Sequence, residues 1–98
     1  MDLVLSLNDV LRAIDKGKIR FTDHAVAQMN RRLFFKADVI QIAQTCTRFE
    51  WQADKKTYLV TGYAENEKGA AFSCVYQEGV VVVTVMWRHL SRKERRAR

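Results

Sequence analysis

Ninety-eight residues are enough for one domain and too few for a second. Apolar residues at 48% allow a core, charged residues at 29% are ordinary for a water-soluble chain, and no apolar run nears the ~20 residues of a membrane helix. The net charge of +6 is uneven: residues 88–98 hold six basic side chains against one acid, Glu94, while residues 1–87 hold 11 basic against 10 acidic. The basic end, with Arg92, Lys93 and Arg95, attracts phosphate polymers without sequence preference; the plainer reading is a solvated tail. Cys46 and Cys74 suggest no disulfide framework and fit buried thiols in a reducing cytoplasm. Asp2, in place of a basic stretch before Leu3-Val4-Leu5, argues against a secretory signal.

In chain order, Ser6-Leu7-Asn8-Asp9 has the S-x-x-D form of a helix start, and Leu7, Val10, Leu11 and Ile14 make one apolar stripe. Gly17 suits the position just past that helix. Lys18–Phe21 reads as a short extended link. Thr22 or Asp23 caps a second helix whose apolar side is Ala25, Met29 and Leu33. Phe34-Phe35-Lys36 breaks the pattern. A third helix starts near Asp38 and turns Val39, Ile42, Ala43 and Cys46 inward.

The period then changes. Residues 48–52, 57–63, 70–77 and 80–87 read as strands, and the short gaps between them predict antiparallel neighbours. Gly62, Gly69 and Gly79 read as turn residues, and Trp51 and Trp87 as core. In the last strand Val81, Val83, Val85 and Trp87 should meet the helices. Val82, Thr84, Met86 and Arg88 form a mixed face with room for a cleft. The expected fold is α+β: two to three N-terminal helices on a four-stranded antiparallel sheet.

The second helix concentrates chemistry. At ~100° per residue, His24, Gln28 and Arg31 share a quarter turn, with Arg32 at its edge. One imidazole, one amide and two guanidiniums at a helix start suit a phosphodiester; a solvated polar face is the plainer reading. The run Thr22–Arg32 fits the pattern T-x-H-A-x-x-[RQ]-M-x-x-R. Together with the order of elements over residues 8–89, it resembles an uncharacterised family of small RelE-like toxin domains, grouped with RelE- and MqsR-type messenger-RNA interferases. Relatives often carry arginine where Gln28 stands: if that arginine is catalytic, this chain is weakened or uses another cation, and if it is structural, little changes.

The resemblance implies a RelE-like domain over residues 1–89 (barnase/EndoU/colicin/RelE type), followed by the tail at 90–98. It implies a toxin of a toxin–antitoxin pair that acts as a metal-independent endoribonuclease. Its partners would be RNA, a small cognate antitoxin and, where cleavage needs it, the ribosome. In that fold, groups from the sheet and its last strand surround the scissile phosphate; Arg88 and His89 match by location. RNA carries its own nucleophile, so imidazoles and guanidiniums can do the work with no metal or cofactor.

The expected proton-transfer groups are therefore His24 and His89. Arg31, Arg32 and Arg88 would stabilise phosphate, Gln28 would bind RNA, and Tyr76 would stack on a base or hydrogen-bond. The rival expectation is a non-catalytic module that binds nucleic acid through its tail or a protein through a sheet edge.

Overall fold

The computed structural model describes residues 5–88. Helix α1 (Leu7–Asp15) starts on a capping box: Ser6 Oγ accepts from Asp9 N at 3.3 Å, and Asp9 Oδ2 accepts from Ser6 N at 2.9 Å. Both groups of Ser6 hold the Asp9 carboxyl below its ordinary pKa, so this cap weakens as pH falls through that lowered value. Gly17, at φ +73°, ends the turn as expected. Strand β1 (Ile19–Phe21), helices α2 (Asp23–Arg31) and α3 (Lys36–Gln44), and strands β2 (Arg48–Gln52), β3 (Thr57–Tyr63), β4 (Gly69–Tyr76) and β5 (Val80–Trp87) follow. No helix among the described residues is long and apolar enough to cross a membrane.

The fold is α+β with three helices on a five-stranded sheet of order β1-β5-β4-β3-β2. Strands β2 to β5 form the expected antiparallel meander. The sheet is nonetheless mixed, because the link at 19–21 pairs in parallel with residues 80–82 of β5. Three residues are too few for hydrophobic periodicity to reveal a strand.

A second correction concerns the last strand. Ser73 pairs with Thr84 and Cys74 with Val82, so Val83 is an extra residue opposite β4. The bulge changes the alternation: Val80, Val82 and Val85 are the fully buried helix-facing residues, while Val81 and Val83 are only half-buried. Thr84, Met86 and Arg88 keep the opposite face, as expected.

Helix α3 lies over β3 and β4, α2 beside β5 and β1, and α1 against α3 and β5. Val10, Ala25, Val39, Ile42, Phe72 and Val85 lie at the centre of the resulting cluster. Burial pushes the Cys74 thiol up to about 12, and Cys46 is also raised, so neither is an activated nucleophile.

Other expectations are corrected. Trp51 is 52% exposed rather than in the core, because β2 is an edge strand. Leu33 leaves the apolar side of α2: it lies past the helix end at φ +54° and is 75% exposed. Gly62 is no turn residue but sits inside β3, pressed against α3.

Candidate nucleic-acid interface

Strand β1 covers only the first part of one β5 edge; beyond Val82 that edge needs other partners. Helix α2 supplies them. Thr22 caps α2 by accepting from Ala25 N at 3.1 Å. Its backbone N donates to Val82 O at 3.0 Å and its hydroxyl to Val83 O at 3.3 Å. Gln28 Oε1 accepts from Val85 N at 3.1 Å, and Arg32 Nη1 donates to Val85 O at 2.7 Å. Trp87 Nε1 closes the seam by donating to Arg32 O at 3.0 Å. An amide and a guanidinium thus replace the missing strand partner of Val85.

This accounts for most of the motif. Ala25 is fully buried and Met29 packs on the core, while Thr22, Gln28 and Arg32 satisfy the strand edge. Gln28, expected on a polar flank facing RNA, is 7% exposed and occupied by Val85. The side chain is used as an acceptor, which an arginine could not provide. Replacing Gln28 with leucine keeps the bulk and orphans a buried N–H; we expect a loss of about 1–3 kcal/mol in urea unfolding, larger than for Gln28→Glu.

His24 is the motif residue left over. It is exposed and, among the described residues, makes no hydrogen bond or ion pair. Around the helix, Met29 marks the core side, Gln28 and Arg32 the strand edge, and His24 and Arg31 the sector beyond it. Along the helix they separate. His24 belongs to the end anchored at Val82 and Val83, and Arg31 to the end anchored at Val85 and Trp87. Seven residues place them about 10 Å apart on the axis.

Arg88 follows β5 at that second end, where its backbone N donates to Gly69 O at 2.9 Å. Its side chain crosses the sheet face opposite the helices, and Nη1 donates to Thr61 Oγ1 of β3 at 2.9 Å. Gly69 and Ala71 are the β4 residues beneath this path, and their small size leaves it clear. Thr61 itself is wholly buried, so one end of the guanidinium is fixed, and the Arg88 side chain makes no other hydrogen bond among the described residues.

Arg31 and Arg32 lie at the end of α2 on one edge of β5, whereas the Arg88 guanidinium reaches the other way, over β4 to β3 on the face opposite the helices; none of the three forms an ion pair among the described residues. His24 stands apart: Val83 to Arg88 spans about 16 Å of strand, far beyond hydrogen-bond reach. Tyr76 is farther still, at the opposite end of the β4–β5 hairpin beside Val80, and 46% exposed. His89, Arg92, Lys93 and Arg95, with the proposed boundary at 89/90, lie outside the described residues.

Sequence reading missed Thr61, because nothing in β3 marks it as the anchor of an arginine two strands away. It also missed the acceptor role of Gln28, which depends on the incomplete edge of β5. Compared with protein-family models, curated proteins and solved structures, the chain has no match.

Proposed function

We propose that this chain is the toxin of a toxin–antitoxin pair and a metal-independent endoribonuclease acting on messenger RNA, with its site beside Arg88 at the end of β5. The observation that carries the reading is the Arg88 guanidinium, anchored on buried Thr61 and without a carboxylate partner among the described residues. An uncompensated guanidinium held at a fixed position attracts a phosphodiester and stabilises the charge that develops on its nonbridging oxygens. The RelE-type resemblance of the Thr22–Arg32 run and the order of elements support the same reading.

In this mechanism Arg88 holds the scissile phosphate, and Arg31, on the other side of β5, binds a neighbouring one. Arg32 is committed to Val85 O and serves mainly to fix the end of α2 against the strand. The 2′-hydroxyl attacks the adjacent phosphorus, its proton passing to a base, and the departing 5′-oxygen takes a proton from an acid. The imidazole assigned to that exchange is His89, which follows Arg88 directly in the chain. His24, at the other end of α2, binds a neighbouring nucleotide.

The test is cleavage of a fluorescent single-stranded RNA in EDTA. The full chain should cut it and leave 2′,3′-cyclic phosphate ends, and Arg88→Ala should lower kcat/KM by about 100-fold, as loss of one stabilising donor does. Intact RNA under wild-type enzyme, ribosomes added or not, rejects the nuclease.

One observation favours a binding module instead: the one histidine among the described residues, His24, belongs to the other end of the α2–β5 seam from Arg88. A binder would retain salt-dependent RNA affinity, lose it with Arg88→Ala, and produce no ends.

A further inference from the structure

The turn joining α2 to α3 holds large apolar residues at two positions where local chemistry asks for others. Leu33 lies just past the end of α2 at φ +54°, a left-handed conformation that glycine or asparagine adopts at far lower cost. Phe35 is the N-cap of α3, a place for serine, threonine, aspartate or asparagine, and it contributes no side-chain hydrogen bond there. Neither side chain gains burial in return: Leu33 is 75% and Phe35 65% exposed. Phe34 between them is buried, its ring 4.6 Å from that of Trp87, so the turn is pinned while its two neighbours project outward. Adjacent violations of capping rules with no packing gain are the mark of a surface kept for a partner.

We infer that this corner is a docking surface for an acidic, amphipathic protein segment. Leu33 and Phe35 are its apolar anchors, and the cations around them, Arg31, Arg32 and Lys36, choose the sign of the partner's charge. The same cations, on a chain of net charge +6, disfavour a second copy. Through Phe34, Arg32 and Trp87 the corner adjoins the end of β5. An acidic segment seated on it therefore also neutralises Arg31, to which the proposed function assigns RNA; this last step alone rests on that reading.

The experiment selects peptides from a phage-displayed library of random 20-residue sequences on the full chain, then measures one synthetic selected peptide by fluorescence anisotropy. Acidic residues around two or three apolar positions at helical spacing are expected in the selected sequences. The variant Leu33→Asn with Phe35→Ser should weaken that peptide at least 10-fold while its Tm stays equal or rises, because both replacements suit their caps. A fall in Tm would make the two residues structural and overturn the proposal. So would selected peptides that lack acidic residues or bind the variant equally well. Leu33-dependent dimerisation in gel filtration, or Phe35-dependent cosedimentation with phosphatidylserine–phosphatidylcholine vesicles in place of peptide binding, overturns it in favour of a second copy or a lipid surface. RNA binding in the same samples is a separate readout: a peptide that binds a chain with no RNA affinity at all leaves the docking surface standing and removes the nuclease.

Discussion

Gly62→Ala should unfold at a Tm roughly 15 °C below wild type, which corresponds to about 3 kcal/mol for a domain of this size. A Cβ at Gly62 would stand 2.4 Å from Ile42 O, 2.9 Å from Thr45 Oγ1 and 3.3 Å from Cys46 N. The first and last are backbone atoms of the end of α3 and the turn after it, so the helix must lift from β3. Overpacking alone costs about 1–3 kcal/mol. The lift also strikes a hydrogen-bond knot: Thr45 Oγ1 accepts from Tyr63 N at 2.9 Å and lies 2.8 Å from Gln41 O and 3.1 Å from Tyr63 O, tying α3 to β3. Losing it would leave part-buried polar groups unmatched.

Gly17→Ala is the internal control. Its added Cβ meets nothing within 4 Å, and its cost comes only from the φ of +73°, about 1 kcal/mol. Chemical denaturation of both variants decides the matter. Should Gly62→Ala prove no worse than Gly17→Ala, the contact between α3 and β3 is looser than these distances state.

The elements with several turns or alternations of apolar residues were legible in the sequence. Helix α1 announced itself by its capping box and stripe, and β2, β3 and β5 by β-branched and aromatic runs between short turns. Features that depend on pairing partners were not. Strand β1 has three residues and exists because β5 offers them an edge. The bulge at Val83 is invisible in a run of valines, since any of them could be the extra residue, yet it decides which valines are buried. The polar quarter of α2 reads, by spacing alone, as a surface for RNA. Its spacing carries two messages: Gln28 and Arg32 turn inward to complete an interrupted sheet, and His24 and Arg31 remain outside. A helical wheel cannot separate them, because it assigns polar residues to solvent, whereas a bare strand edge attracts polar side chains as strongly as water does.

That division sets the expectation for the two histidines. His89→Ala should lower kcat on a single-stranded RNA by at least about 100-fold, the lower bound for a general acid or base. His24→Ala should lower kcat less than about 10-fold and act mainly on KM. The reason is distance along the seam between α2 and β5. The guanidinium to which the proposed function assigns the scissile phosphate is that of Arg88, which follows the end of β5 where Arg32 meets Val85 and Trp87. His89 is joined to Arg88 by one peptide bond, whereas His24 lies at the end tied to Val82 and Val83. A proton must cross a contact of about 3 Å, so a group some 16 Å along the strand cannot serve the same linkage. On the proposed function it grips a nucleotide farther along; it is exposed and without a partner among the described residues, in a helix whose other motif residues are bonded or packed. Arg88→Ala combined with His24→Ala should therefore multiply the two single effects, while Arg88→Ala with His89→Ala should cost little more than the worse of them, as groups acting on one linkage do. The reverse pattern, with His24→Ala inactive and His89→Ala near wild type, moves the chemistry to the start of α2. It would then leave Arg88 as a binding group alone.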